Sequence, residues 1–409
     1  MAEDDASRNA AEAALRHAYG RVLAVLAARS GDVAGAEDAL SEAFVAALNT
    51  WPKHGVPVDP VAWLLTAARR RSIDQIRRRQ VRARAEPDLV LAYQEQETMN
   101  GSFPDRRLEL LFVCAHPAIT PAARSPLMLQ TVLGIDASRI ASAFLVPPPA
   151  MSQRLVRAKR KIKEAGIRFR VPDAEEWPSR LDAVLEAVYA AYSSGWDALG
   201  FEERGLSAEA LFLARMIVDI LPNEAEAKGL LALLLFCESR RKTRRGPDGS
   251  YVPLSEQSVG FWDPSLISEA EGLLKAALEQ KRVGRYQLEA AIQSAHTHRR
   301  LGRVDNWREV VALYDALLQL SPSVGAQVAR AGALLEAEGA GAAWNALSDI
   351  GSDRVTTYQP YWAVRAQVLH ALERPAESAQ SLERAIGLTA DPALRRYLIQ
   401  ALHGQQPND

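Results

Sequence analysis

Two runs of arginine and lysine define the chemistry open to this chain. The first, Ala68 to Arg79, reads ARRRSIDQIRRR, and the second, Ser152 to Lys163, reads SQRLVRAKRKIK. In each, apolar residues recur at helical spacing between the bases, so one stripe can be buried while a cationic face meets phosphates. Two such faces on either side of a polar linker form a two-point grip on nucleic acid. Near the N-terminal end of the second run, Ser152, Gln153 and Val156 are placed to reach base edges. Arg154, Arg157, Lys159, Arg160 and Lys163 belong to the same DNA-facing set, and the cations among them suit phosphates.

Other chemistry is poorly represented. There is no GxSxG, no glycine-rich phosphate loop with its Lys-Ser/Thr, no HExxH and no paired carboxylates in an evident cleft setting. Cys114 with His116, and His296 with His298, are close pairs, but no second pair stands at ligand spacing, and core or surface roles are the plainer reading. The sequence therefore predicts no metal, no cofactor and no catalytic activity.

The elements that must position the basic faces are helices. Leu15, Tyr19, Val22, Leu23 and Leu26 recur at spacings of three and four, as do Leu40, Phe44, Ala47 and Leu48, and Asp32 is a start signal for the second of these helices. Trp51 to Pro60 carries three prolines and a glycine and is predicted to be non-helical; Asp59-Pro60 reads as an N-cap and first-turn proline for a helix from Val61 to about Arg82. Residues 85–105 lose the periodicity and read as a linker. Helices resume from Arg106 to Ile167, broken at Pro117 to Pro121 and at Pro147-Pro148-Pro149. There, a short helix with Ile140, Ala141 and Phe144 inward, a proline-stiffened turn, and a second helix with Met151, Leu155 and Ile162 inward form a helix-turn-helix pattern. An amphipathic basic helix lying on a protein surface is the competing reading.

From Trp177 to Leu402 alanine- and leucine-rich helices follow one another, and no strand pattern stands out anywhere, so the fold class is all-α. Three helix pairs look alike: Ala208 to Leu221 with Glu224 to Arg241, Trp307 to Leu320 with Val324 to Glu338, and Tyr361 to Leu372 with Ala376 to Leu388. Small residues such as Ala366, Ala376, Ala379 and Ala385 in the last pair suggest a degenerate tetratricopeptide-like α-solenoid over residues 175–403.

The 409 residues are 48% hydrophobic, enough for more than one core, and a net charge of -1 hides an asymmetry, since the basic clusters precede Arg170. Cys114 and Cys237 sit apart in apolar runs and read as reduced thiols. The acidic start Met1 to Asp5 lacks a signal-peptide pattern, and the apolar run Leu230 to Phe236 is too short to span a bilayer. A cytoplasmic protein with no membrane partner is expected.

The segment Asp38-Ala39-Leu40-Ser41-Glu42-Ala43-Phe44, then Trp51-Pro52, then Pro60 to Arg78 resembles region 2 of the extracytoplasmic-function sigma factors, and Arg106 to Ala165 resembles their region 4. The remainder, including Phe169 to Pro172, Leu230 to Leu235, Gly246 to Gln257 and Gly284 to Ile292, resembles the subfamily that carries a tetratricopeptide-type extension. The resemblance implies region 2 at 10–84, a linker at 85–105, region 4 at 106–170 and a helical regulatory domain at 175–403. It implies that Asp38, Glu42 and Phe44 dock on the clamp helices of core RNA polymerase, with Phe44 open to a second role in the core. His54, Val56 and Asp59 would lie in the loop that captures a flipped base of the minus-ten element, and Arg69, Arg70, Arg77 and Arg78 would hold the melted strand. Trp63, beside that loop, is read as core. Region 4 would read the minus-thirty-five element through Ser152, Gln153, Arg154, Val156, Arg157, Lys159 and Arg160. Where the family usually has Asn after the first Arg of its minus-ten helix, this chain has Arg70, which leaves the downstream base preference open.

The implied partners are core RNA polymerase, promoter DNA and a protein partner of the solenoid, which would regulate initiation in place of a separate anti-sigma factor. The basic run Arg240, Arg241, Lys242, Arg244 and Arg245 reads equally as a contact surface or as a solvated helix end. Two other functions fit parts of the pattern. A helix-turn-helix regulator acting without polymerase gives no reason for the Trp51 to Arg79 block, and a helical scaffold or ligand-binding protein would bury the basic helices.

Overall fold

A computed structural model describes residues 2–70, 105–144, 146–177, 179–196, 201–302 and 306–404. Among these the regular structure is helical, with one isolated antiparallel bridge between Arg245 and Tyr251. Arg77, Arg78, the continuation of their helix to Arg82 and the linker through residue 104 lie outside the described residues.

The chain divides into two compact units, Met1–Met216 and Ile217–Asp409. The first begins with α1 (Ala2–Ser30) and α2 (Val33–His54), which pack side by side. Asp32 caps α2, its carboxylate accepting from the Gly35 amide at 3.0 Å. In contrast to the expectation from the sequence, α2 runs on through Trp51, Pro52, Lys53 and His54. Pro52 forfeits one hydrogen bond, to the carbonyl of Leu48 on the exposed side, while the side chain of Trp51 is almost wholly buried and anchors the last turn. Helix α3 (residues 60–70) starts as the sequence implies. Asp59 Oδ1 accepts from the Ala62 amide at 3.0 Å, and Pro60 occupies the first turn, where its missing N–H costs nothing. Trp63 is half-buried, edge-on to Trp51 with ring centroids 5.3 Å apart, in keeping with a core role.

Next come α4 (Arg107–Cys114), α5 (Pro121–Thr131), α6 (Ala137–Ala143) and α7 (Pro148–Glu164). Pro147, Pro148 and Pro149 fall at the cap and first turn of α7, so the unusual triplet starts this helix without breaking it. Helix α8 (Leu181–Trp196) packs on α5 and α4. It buries Val184, Leu185, Val188 and Ala191, and its Glu186 accepts from the Ser125 hydroxyl at 2.9 Å. On α9 (Phe201–Ile220), Glu209 pairs with Arg107, whose guanidinium lies 4.9 Å from the Phe212 ring. A boundary near residues 170–175, expected from the sequence, therefore falls inside the first unit. The helices after it complete the packing of α4 and α5, which a shorter chain would expose.

The second unit holds α10 (Ala225–Ser239), α11 (Pro264–Leu278), α12 (Arg285–Arg300), α13 (Trp307–Leu320), α14 (Val324–Ala337), α15 (Ala340–Ser348), α16 (Ser352–Val355), α17 (Gln359–Ala371), α18 (Pro375–Leu388) and α19 (Pro392–His403). Successive helices from α12 to α15 and from α17 to α19 pack on their neighbours, with apolar clusters around Val310, Val328, Leu347 and Val368 and around Ala366, Leu382, Ala385 and Leu398. Close approach is built by glycine: a Cβ at Gly229 of α10 would lie 2.7 Å from the Gln287 amide nitrogen of α12.

Candidate nucleic-acid and polymerase interface

Helix α2 presents one open face. Asp38, Ser41, Val45 and Leu48 follow at helical spacings of three and four and are all exposed, Val45 to 60%. Glu42 is half-buried beside them. Phe44 is half-buried and turns toward Tyr19 of α1, with ring centroids 6.1 Å apart, so it serves packing and not the open face. Val45 and Leu48 are exposed positions on this face that sequence reasoning did not single out. Their offsets of four and seven residues from Ser41 are the signal that finds them, because they place two apolar side chains on the side of Asp38.

The segment after α2 is open. His54 is exposed, its Nδ1 3.0 Å from the Thr50 carbonyl, and Val56 and Val58 are exposed, Val58 completely. Asp59 is exposed too, but its carboxylate already caps α3. Arg69 is half-buried and Arg70 exposed on α3, which brings both to the helix that the loop leads into.

On α7 the two faces separate cleanly. Met151, Leu155, Ala158 and Ile162 are buried, whereas Ser152, Gln153, Val156, Arg157 and Arg160 are exposed. The helix in front of it, α6, is capped by Asp136, which accepts from the Ser138 amide at 2.7 Å. The Ser138 amide and hydroxyl hold the Asp136 carboxyl below the usual carboxylate range. Two of the expected DNA-facing side chains have partners within the chain. Arg154 is half-buried and donates to the Ala122 carbonyl at 3.1 Å. Lys159 is only 9% exposed and pairs with Glu37 of α2 at 2.5 Å, so in this structure it packs within the chain. It points away from the exposed face because it shares the buried stripe of Leu155 and Ile162, at i-4 and i+3.

The remaining candidates resolve structurally. Cys114 is buried with Sγ 3.5 Å from Thr131 Oγ1, and burial pushes its thiol up to about 12, which makes it inert. His116 accepts from the Ala118 amide, its ring held below the usual imidazole range by partial burial and by Arg180. No cluster of three or more metal-ligand side chains occurs among the described residues. In the basic run, Arg240 donates to Gln293, Arg241 pairs with Glu238, and Arg245 pairs with Asp391, so these cations tie the second unit together. None of the described helices is long and apolar enough to cross a membrane.

Comparison with known proteins agrees with this geometry. Residues 15–82 match the model of sigma-70 region 2, which takes in the second half of α1, then α2, the open segment and α3. The N-terminal part of the chain thus carries a sigma-70 region 2 domain. Residues 180–278 match a family of unknown function (DUF6596), and an uncharacterized protein of Rhizobium meliloti (strain 1021), R00370, is 35% identical over 374 residues, 89% of this chain and 88% of that one. No solved structure matches the chain. Sigma-70 region 2 implies a sigma factor that binds core RNA polymerase and promoter DNA in transcription initiation. Helices α6 and α7 lie beyond the matched residues.

Proposed function

We propose that the chain is a sigma factor of the extracytoplasmic-function type, without catalytic activity of its own, acting in the cytoplasm. Helix α2 docks on core polymerase through Asp38, Glu42 and the apolar pair Val45 and Leu48, an acidic and apolar face suited to a basic helical partner. His54, Val56 and the fully exposed Val58 capture a base of the melted minus-ten strand, and Arg69 and Arg70, continued by Arg77 and Arg78, hold its backbone. Helix α7 acts as the recognition helix of region 4 on the minus-thirty-five element. Ser152, Gln153 and Val156 read base edges, and Arg157 and Arg160 contact phosphates.

The observation that carries this reading is the division of α7 into a buried apolar stripe and an exposed row of Ser152, Gln153, Val156, Arg157 and Arg160. An open Val156, 62% exposed among polar and cationic neighbours, suits contact with a thymine methyl. The helical extension, tetratricopeptide-like in its successive helix pairs, is the regulatory input, since its first helices α8 and α9 pack on α5 and α4 of the DNA-reading part.

The test is transcription from genomic DNA by purified core polymerase with the whole chain, with start sites mapped by sequencing. Initiation at a defined promoter set is expected. Tight dimeric binding of duplex DNA together with a failure to direct any initiation would instead favour a polymerase-independent regulator. Arg157→Ala should weaken all promoters and flatten the salt dependence, whereas Gln153→Ala should change sequence preference.

A further inference from the structure

Helix α7 opens on a first turn with almost no main-chain donor to offer. Pro147 is its cap and Pro148 and Pro149 are its first two residues, and none of the three carries an N–H. The Met151 amide already donates to the Pro147 carbonyl at 3.1 Å, so in this turn Ala150 alone brings an N–H that the helix does not use. A helix N-terminus ordinarily holds phosphate through such amides. This one presents exposed pyrrolidine rings in their place, since Pro147, Pro148 and Pro149 all lie on the surface. Contact with the DNA backbone therefore falls to side chains such as Arg157, and the start of the helix is left apolar.

The helical period decides which of these prolines shares a face with the reading residues. Pro149, Gln153, Val156 and Arg160 follow at spacings of four, three and four, which places them within about 60° of one another on the helix. They stand opposite Met151 and Ala158, which are buried, whereas Pro148 falls about 100° to one side. The row is thus apolar at two points, with the amide of Gln153 between them. From Pro149 to Val156 the helix advances about 10 Å, and duplex DNA rises about 3.4 Å per base pair, so the two points span about three pairs when the helix follows the groove. We infer that Pro149 is a specificity-determining residue of the recognition helix: with Val156 it forms an apolar pair that reads the C5 methyls of two thymines about three base pairs apart, on either side of the pair met by Gln153. The thymine methyl is the apolar group that the major groove displays, and a first turn without amides meets it with no competing donor for phosphate. The inference rests on the reading of α7 as a recognition helix given above and adds the class of base that it selects.

The experiment uses the whole chain with purified core RNA polymerase on the strongest promoter found by start-site mapping. Each thymidine of its minus-thirty-five element is exchanged in turn for deoxyuridine, which deletes the C5 methyl and nothing else. Initiation should fall about three- to fivefold, the worth of one buried methyl, at two positions about three pairs apart. Val156→Ala should remove the sensitivity at one of them and Pro149→Ser at the other. Pro149→Ser also returns an N–H to the first turn, which acts on every sequence alike, so the readout is the ratio of thymidine to deoxyuridine template and not the rate. Pro148→Ala, in the same turn but on another face, should leave both ratios unchanged; loss of either ratio in that variant would show that the prolines act as a helix start and would overturn the role of Pro149. Sensitivity at a single thymine, removed by Val156→Ala, would overturn it as well, and the scan on the wild-type chain gives this answer whether or not the variants fold. Initiation indifferent to every deoxyuridine, or a promoter set without A·T pairs at this spacing, would sink the methyl reading and leave the sigma-factor reading standing. Absence of initiation by the wild-type chain on any template would remove the sigma-factor reading itself.

Discussion

Two places in the molecule bring helices together over glycine, and they are held in different ways. Where α1 meets α5, Gly20 and Gly134 allow the approach, and the adjoining α2–α7 contact is closed by Lys159 with Glu37 and by Lys163 with Asp32. Where α10 meets α12, Gly229 and Gly284 allow it, and a carboxylate closes it on backbone: Glu226 accepts from the Tyr286 amide at 2.9 Å, from the Gln287 amide at 3.2 Å and from Gln287 Nε2 at 3.1 Å. The second closure satisfies the first N–H groups of α12 and complements its dipole. The first uses lysine pairs, one of them with its lysine more than half exposed. One interface is closed on backbone and the other between side chains.

The contrast can be broken most directly at Glu226. Glu226→Ala leaves three donors without their charged acceptor and should cost about 3 kcal/mol or more. The loss should appear as faster hydrogen exchange in α10 and α12 and not in α1 or α5. A comparable effect is expected from pH. His296 of α12 is held down to about 4, from 6.5, first by burial and then by Arg299 and Arg240, and Arg299 donates to its Nδ1 at 2.8 Å. Because the unfolded chain takes up that proton first, stability from this group is complete above about pH 6.5 and is lost as pH falls toward 4. The loss is on the order of 3 kcal/mol in α12 and α13, and His296→Phe should abolish that slope.

Smaller changes sharpen the comparison. Gly20→Ala pushes a methyl into a backbone oxygen that no side-chain rotation can move, with an expected cost of about 1–3 kcal/mol. Exchange in α1 and α5 should rise by roughly 5- to 150-fold, with unit two unaffected. Lys163→Ala should cost less than about 1 kcal/mol in thermal unfolding, because Lys163 is 57% exposed. If it cost as much as Glu226→Ala, the two interfaces would not differ in kind.

How much of this was legible in the sequence depended on the range over which each signal acts. Asp32 before α2 and Asp59-Pro60 before α3 were readable because a cap bonds an amide two or three residues on. The split of α7 into a buried stripe and an exposed row was readable from its 3.6-residue period. Pro52 was misread, since local propensity predicts a break and the burial of Trp51 overrides it. Phe44 had two open roles, and only the position of Tyr19 chose between them.

The sequence by itself determined that this protein is helical, where most of its helices start and stop, and which family region 2 belongs to, because caps, periodicity and motif order are written within a few residues of one another. Tertiary structure alone decided that Lys159 turns inward to Glu37, that the basic run ending at Arg245 is tied down within its own unit by Gln293, Glu238 and Asp391, and that α8 and α9 complete the first unit. The fate of a charged side chain depends on whether an opposite charge arrives from a distant segment in time to offset its desolvation, and no local pattern encodes that arrival.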